Sequence, residues 1–249
     1  MAVAFDAVSE SHTGTTGSVN ETSFSWTHTP VGTPKGVLVF VFALSSIGPG
    51  TAVTITYGGV TVPQLGTTAN DNAGEPGSVR IGFLGSGIPT GAQTVNISRL
   101  SSSTEMYAVA ITVTAANDTA ATGATAQSGD QAPAQANIDD GSPGTNSLRF
   151  AGAYYGGAAI PIAGANSTAL VGIDFGQQTI AVVRETTAGQ GSRPVGFADS
   201  SDDWACILLA IKEAAAGSSV KTVDGLAVAS VKTSDGLAIA SVKTWSGLA

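Results

Sequence analysis

The sequence predicts an all-β protein, an antiparallel β-sandwich of jelly-roll-like type followed by a short β-repeat tail. Three observations predict this class. Gly, Ala, Thr, Ser and Val dominate a chain of 249 residues of which 11% are charged. Short runs of apolar and β-branched residues recur between Gly-, Pro- and Asn-containing turn signals, a spacing typical of sandwiches and jelly rolls. The C-terminal part repeats an 11-residue unit.

Composition and charge narrow the classes of partner. Apolar residues make up 43% of the chain, which argues against disorder because disordered chains combine low hydrophobicity with high net charge. The net charge is −8, and no cluster of Lys and Arg is available to neutralise phosphates. We therefore expect no nucleic-acid partner and no anionic membrane partner. No apolar stretch approaches the roughly 20 residues that span a bilayer.

Ten segments have the pattern of β-strands. They are Ser23–His28, Val37–Leu44, Val53–Tyr57, Val79–Leu84, Thr94–Ser98, Met106–Thr114, Ser147–Tyr155, Thr179–Thr186, Arg193–Phe197 and Ala205–Lys212. Phe24 and Trp26 alternate with polar residues, as in a half-buried strand. Val37–Leu44 is continuously apolar, which predicts a central strand covered on both faces.

Two further features belong to this first region. Ala115–Asn146 is a long polar, Ala-rich interruption, which predicts either a crossing between sheets or an exposed loop, since loops of this length are uncommon. Cys206 is the only cysteine and lies in the apolar run Trp204–Ile211. No disulfide within the chain can form, and we expect a buried thiol that packs as a small hydrophobe.

The chain divides into a sandwich domain at 1–213, a small-residue linker at 214–218 and a repeat tail at 219–249. The repeats are Ser219–Ala229, Ser230–Ala240 and the shorter Ser241–Ala249. An 11-residue period also suits a right-handed coiled coil, but Gly and β-branched residues within each copy disfavour a helix. We therefore predict eight-residue strands, Leu226–Thr233 and Leu237–Thr244, joined by Asp-Gly or Ser-Gly turns.

A lone meander of such strands cannot bury both its faces. The tail must therefore dock on the sandwich, on another copy of itself or on another protein, as an assembly or anchoring element. The predicted assembly residues are the larger apolar residues of the repeats, namely Val220, Leu226, Val228, Val231, Leu237, Ile239, Val242, Trp245 and Leu248.

The histidines and the lack of catalytic sequence motifs favour a protein that is not an enzyme and carries no cofactor. His12 and His28 are the two histidines, and neither has a metal-ligand partner at helical or hairpin spacing. No Gly-x-Ser-x-Gly nucleophile motif and no phosphate-binding loop is present.

Carboxylates form two groups, one in the long interruption (Asp130, Asp139 and Asp140) and one before Trp204 (Asp199, Asp202 and Asp203). The second group is a weak candidate for a Ca²⁺ site, since this cation takes several oxygen ligands. Its spacing matches no established calcium loop, so a solvated turn is the favoured interpretation for both groups and no resident metal is predicted.

Aromatic residues are the other candidates for ligand contact. Adjacent residues of a strand point to opposite faces, so we expect one of Tyr154 and Tyr155 to be exposed and able to contact a ligand. We interpret Trp26 and Trp204 as core residues rather than sugar platforms.

Several spaced fragments of the first region resemble a sandwich domain of phage structural proteins that also occurs in large bacterial surface proteins. The fragments are Phe5–Ala7, Phe24–His28, Gly36–Val41, Val53–Val60, Pro89–Val95 and Trp204–Lys212. The tail resembles the Lys-Thr-x-x-Gly-Leu-Ala repeats that close many phage-encoded structural proteins. The resemblance implies structural or adhesive roles and supplies no catalytic motif.

From this resemblance we expect a virion structural protein, such as a head decoration, collar or tail-fibre subunit. Its partners would be other copies of itself, in a trimer, and other virion proteins. The alternative is an adhesion module whose loops bind a carbohydrate or receptor, such as a host surface glycan. Met1–Asp6 contains no secretory signal pattern, which fits a virion protein assembled in the host cytoplasm and released by lysis.

Overall fold

A computed structural model describes the chain at residues 2–13, 21–44, 52–70, 76–99, 105–129, 136–141, 144, 146–157, 159–176, 178–189, 191–198, 203–214, 222–223, 226–227, 233–234 and 237–238. The chain forms two compact units, Met1–Ala214 and Ala215–Ala249. Every regular element among these residues is a β-strand, and the strand pairs are antiparallel, so the predicted all-β sandwich is confirmed. In the described part of the chain, no helix has the length and apolar character needed to cross a bilayer.

Within the described residues, the first unit contains seventeen strands, numbered in chain order. They are β1 (Ala4–His12), β2 (Ser23–His28), β3 (Gly36–Ala43), β4 (Val53–Tyr57), β5 (Val60–Thr61), β6 (Gln64–Asn70), β7 (Gly77–Leu84), β8 (Gln93–Arg99), β9 (Met106–Thr114), β10 (Thr119–Ala121), β11 (Thr125–Gly129), β12 (Asn137–Ile138), β13 (Leu148–Tyr155), β14 (Ser167–Asp174), β15 (Thr179–Glu185), β16 (Val195–Gly196) and β17 (Trp204–Glu213).

These strands form three stacked sheets and a ribbon. The central sheet has the order β1-β9-β3-β7-β6. The small sheet, β2-β8-β4-β5, covers one of its faces, and the C-terminal sheet, β10-β17-β13-β15-β14, covers the other. β11 also pairs with β17. The ribbon of β12 and β16 packs on the outer face of the C-terminal sheet.

Strand β3 explains why the central sheet is covered on both sides. Its alternate residues point to opposite faces, so Leu38 and Phe40 pack toward the C-terminal sheet while Val39 and Val41 pack toward the small sheet. All four are buried, and full burial of such a side chain contributes about 1.5–3 kcal/mol. The prediction of a central strand covered on both faces is confirmed.

The outer face of the C-terminal sheet carries a third apolar layer. Cys206 and Leu208 of β17 pack there against Val195 and Phe197. Cys206 is fully buried, as predicted, and burial raises the pKa of its thiol far above the ordinary value. The first unit is thus a sandwich of three stacked sheets.

Each of the ten predicted segments overlaps an observed strand. The longer strands that the pattern missed, β1, β6 and β14, lie at sheet edges. Their side chains are largely polar or half-exposed, and an edge strand that buries little carries a weak hydrophobic signal.

The interruption at Ala115–Asn146 contains β10, β11 and β12. β10 and β11 both pair with β17, at Ala121↔Ile211 and Thr125↔Leu208. The segment thus leaves the central sheet and extends the edge of the C-terminal sheet. The crossing between sheets is confirmed, whereas the exposed-loop interpretation is wrong for the residues of these strands.

The two ends of the first unit differ. At the terminal end, Ala4 pairs with Thr114, and Glu213 of β17 pairs with Thr119. At the opposite end, called the distal end, His12 pairs with Tyr107. β17 runs from Trp204 to Glu213 over ten residues, so the two ends lie about 30 Å apart at roughly 3.3 Å per residue.

In the second unit, β18 (Thr222–Val223) pairs with β19 (Leu226–Ala227), and β20 (Thr233–Ser234) pairs with β21 (Leu237–Ala238). Two residues, Asp-Gly in each case, separate the partners. These pairings agree with the predicted turns at Asp-Gly, and the Asp-Gly residues themselves lie outside the described residues. The remaining parts of the two predicted eight-residue strands lie outside the described residues.

Candidate functional site

A small pocket lies at the distal end, where β1 and β3 finish, β9 begins and the connection from β14 to β15 turns. Its volume is about 180 Å³. Its lining is mostly apolar and aromatic, consisting of His12, Thr13, Leu44, Glu105, Met106, Tyr107 and Phe175. Drug-sized ligands occupy roughly 300 Å³ or more, so this pocket suits one ring-sized group.

Three rings shape the pocket wall. His12 and Tyr107 are cross-strand partners, and their rings stack with centroids 5.1 Å apart and an interplanar angle of 11°. Phe175, from the facing C-terminal sheet, meets Tyr107 edge-on at 5.3 Å. His12 Nδ1 lies 2.6 Å from the carbonyl of Thr13. A carbonyl only accepts, so Nδ1 carries a proton and donates it.

Two carboxylates give the pocket region a negative character. Glu105 lines the pocket and is exposed, and Glu10 shares a face of β1 with His12. Burial raises the pKa of Glu10, an effect that attraction to His12 partly offsets. Burial, with a smaller effect of Glu10, raises the pKa of Tyr107 to about 12. The pocket therefore combines aromatic walls with a carboxylate in its lining and a second one nearby.

Asp203 is the described member of the proposed calcium group, since Asp199 and Asp202 lie outside the described residues. It is buried at the distal end, next to Trp204, and its backbone carbonyl accepts a hydrogen bond from Gly156 at 2.8 Å. The solvated-turn interpretation is therefore wrong for Asp203. Nowhere in the described chain do three His, Cys, Asp or Glu residues come together as metal ligands. The calcium site stays a weak prediction.

Tyr154 and Tyr155 are both buried, so the expectation that one contacts a ligand is wrong. Tyr154 packs between the central and C-terminal sheets, so close to Gly77 that a Cβ there would clash with its ring. Tyr155 points to the outer face and meets Phe197 edge-on at 5.7 Å. The third apolar layer covers the face on which exposure was expected. Trp204 is a core residue, as predicted, and Trp26 is half-buried.

A chain of hydrogen bonds links β1, β2 and β9 and includes residues that the sequence left unassigned. Thr112 Oγ1 donates to Asp6 Oδ2 at 2.8 Å and lies 3.1 Å from His28 Nε2. Ser9 Oγ lies 2.7 Å from His28 Nδ1. Trp26 Nε1 donates to Ser9 Oγ at 2.8 Å.

The donors at the two ends of this series of hydrogen bonds determine which atom donates and which accepts in each bond between them. Since Thr112 gives its proton to Asp6, its oxygen accepts from His28 Nε2–H. Nδ1 of the neutral ring then accepts from the Ser9 hydroxyl. Burial lowers the pKa of His28, and attraction to Asp6 opposes that effect in part. Both ring nitrogens are thus occupied inside a fully buried ring.

A second buried network joins Arg149 of β13 to the carboxylates of Asp140 and Glu185, at 2.8 and 2.9 Å. Arg193 also pairs with Glu185, at 3.1 Å. Asp140 is nearly buried, so the solvated-turn interpretation is wrong for this residue. Asp139 accepts hydrogen bonds from Ser192 and from the backbone of Gly141, which hold its pKa below the usual value.

Of the predicted assembly residues, Leu226 and Leu237 fall within described strands, one at the same position of each hairpin. The others lie outside the described residues: Val220, Val228, Val231, Ile239, Val242, Trp245 and Leu248. The assembly role of the whole set stays a prediction.

No family model, curated protein or solved structure matches this chain in comparisons with known proteins.

Proposed function

We propose that this protein is a non-enzymatic structural subunit of a bacteriophage particle, a head decoration, collar or tail-fibre subunit that assembles through its C-terminal repeats. The observation that carries the proposal is that the pocket and the exit of the chain lie at opposite ends of the first unit. The chain leaves this unit at the terminal end, after Glu213, whereas the pocket lies at the distal end. A unit attached through its C-terminus presents its distal end to the surroundings.

The repeats support a role in assembly. Two successive copies pair in the same way, Val223 with Leu226 and Ser234 with Leu237. Two-stranded hairpins are marginal alone, and their unpaired edges favour strand addition from another chain. The proposed partners are two further copies in a closed trimer and other virion proteins. The proposed location is the virion, assembled in the host cytoplasm and released by lysis, without nucleic acid or membrane as partner.

The burial of His28 supports the non-enzymatic part of the proposal. Its ring is hydrogen-bonded through both nitrogens, to Ser9 and to Thr112. A general base must reach the proton that it removes from a substrate. A ring enclosed by Ser9 and Thr112 is instead suited to joining β1, β2 and β9.

The solution mass of the full chain, beside a chain ending at Gly217, tests the assembly role. Native mass spectrometry and light scattering should give a trimer for the full chain and a monomer for the shorter one. A matched variant keeps the full length but replaces Gly225 and Gly236 with Val, because a tight Asp-Gly turn requires positive φ. It should also be monomeric. A monomeric full chain would contradict assembly through the repeats.

A second candidate function is a carbohydrate-binding adhesion module, favoured by the pocket of His12, Tyr107 and Phe175. We propose that the pocket holds one sugar ring of a host surface glycan. Titration of a panel of bacterial-envelope saccharides, followed by amide NMR shifts, should perturb residues around Phe175. Replacing Phe175 with Ala should weaken binding at least tenfold, since one aromatic wall is lost. Val31→Ala, an exposed apolar position, is the control. Equal binding by both variants would refute this function.

A further inference from the structure

Two arginines are buried between the central sheet and the small sheet without a carboxylate partner among the described residues. Arg80 of β7 is 6% exposed and Arg99 of β8 is 7% exposed. The ion pairs found in the described part of the chain involve Arg149 and Arg193 instead. Buried arginines are nearly always paired, so these two differ from the other buried guanidinium, Arg149.

Several polar atoms of Arg99 and Ser78 also lack hydrogen-bond partners within the described residues. Arg99 donates through Nη2 to the backbone carbonyl of Glu21 at 3.0 Å. Its Nε and Nη1 are buried without any hydrogen-bond partner, as is Oγ of Ser78, two residues before Arg80 on β7. Unsatisfied buried donors are rare in folded proteins.

The strand pattern directs these side chains into the same layer. Val79 and Ile81 face the C-terminal sheet, so Ser78 and Arg80 face the small sheet. On β8, Val95 and Ile97 face the central sheet, and Arg99 continues that alternation.

The register also brings the two arginines to the same level along the strands. Gly82 lies against β4, since a Cβ added to it would lie 3.1 Å from Ile55 Cδ1. Arg80 precedes Gly82 by two residues and Val53 precedes Ile55 by two residues, both toward the distal end. Arg80 is therefore level with Val53. The register pairs Val53 with Arg99. Facing sheets lie about 10 Å apart, a gap that two arginine side chains cross readily.

Two like charges enclosed at one level are unfavourable unless an anion neutralises them. Burial alone lowers the pKa of both Arg80 and Arg99, because desolvation penalises the charged form. A buried charge that lacks a partner is destabilising. A guanidinium has planar, paired N–H groups that match an oxyanion.

We propose that Arg80 and Arg99, with the hydroxyl of Ser78, form a binding site for one small oxyanion between the two sheets at the distal end. The buried Nε and Nη1 of Arg99 require an enclosed ligand, which restricts it to an ion of a few atoms. The site differs from the pocket of Phe175, which lies on the other face of the central sheet, and it does not depend on the proposed virion or adhesion function.

Calorimetric titration of the full chain with sodium sulfate, at constant ionic strength set with sodium chloride, tests the proposal. One sulfate should bind per chain. Arg99→Gln should weaken that binding at least tenfold, and Arg80→Gln should do the same. Lys212→Gln, which removes an exposed positive charge at the terminal end, should bind as the wild type does.

Phosphate and acetate, titrated separately, identify the preferred oxyanion, and binding of any one of the three supports the site. Should Arg99→Gln fold poorly, Arg99→Lys keeps the charge but loses the planar fork, and it should weaken binding by a similar factor. Two results would overturn the proposal. One is a wild-type chain that binds none of the three anions, as expected if a carboxylate of the chain already neutralises the pair. The other is binding that both Gln variants retain.

Discussion

Two buried polar networks join separate strands of the first unit. The network of Arg149, Glu185 and Asp140 is fully paired, and Arg149 also donates to the carbonyls of Gly141 and Gly191. Such pairing compensates the desolvation of each charge. The network around His28 instead contains a neutral ring, and its contribution to stability depends on the protonation of His28.

Replacing Glu185 with Gln should lower the free energy of unfolding by about 3 kcal/mol, because removing one partner leaves a buried charge uncompensated. Urea denaturation at pH 7 measures the difference. Glu105→Gln, at an exposed position, should change stability by less than about 0.5 kcal/mol. A Glu185→Gln chain as stable as this control would show that the network does not stabilise the fold.

The stability of the first unit should fall as the pH drops below about 6.5. Burial lowers the pKa of His28 from its ordinary value of 6.5, so the unfolded chain binds a proton more readily than the folded chain. Neutral His28 therefore contributes its full stabilisation above pH 6.5, and that contribution is lost as the pH falls toward the lowered value. Urea denaturation between pH 7.5 and 5 should show a smaller loss in His28→Gln than in wild type. His12→Gln is the control, and an unchanged profile in His28→Gln would contradict the assignment.

At the scale of elements, the spacing between sheets depends on glycines that face large side chains. Gly152 of β13 lies opposite Phe40 of β3, and a Cβ added to it would lie 2.5 Å from Phe40 Cδ1. Phe40 is fully buried and cannot move without displacing its neighbours. The contact thus holds the central and C-terminal sheets at a distance that one methyl group would disturb.

Gly152→Ala should destabilise the first unit by about 1–3 kcal/mol, the usual cost of overpacking a core. Thermal and urea unfolding measure the change. Gly123→Ala is the matched control, since a Cβ there meets no atom within 4 Å. Adding Phe40→Leu to Gly152→Ala should recover part of the loss, because the two sites are coupled. A Gly152→Ala chain of unchanged stability would mean that the sheets separate without cost.

At the scale of the whole molecule, the low fraction of charged residues agrees with the three apolar layers of the first unit, which bury many residues. Only 11% of residues are charged, and several of these, including Arg149 and Glu185, are buried in the first unit. The terminal end carries the point where the chain leaves this unit, and the distal end carries the pocket. The proposed virion role uses this separation, since the end with the pocket lies opposite the end where the chain leaves the unit.

The strands with strong apolar patterns were predictable because their signal is local. Val37–Leu44 indicated a strand covered on both faces, and the observed β3 is such a strand. The pairing of the residues on either side of Asp-Gly in the repeats was predictable for the same reason. Edge strands such as β14 were missed because half-exposed residues carry little periodicity.

The amino-acid sequence by itself determined the all-β class, the central strand and the repeated hairpins, since each depends on residues near one another in the chain. The tertiary structure alone decided that Tyr154 and Tyr155 are buried, that Asp203 is not solvated and that His12, Tyr107 and Phe175 share a pocket. The hydrogen bond between Thr112 and Asp6 joins residues 106 positions apart. Such contacts depend on which sheet covers which face, and that depends on packing between distant strands, which no local pattern specifies.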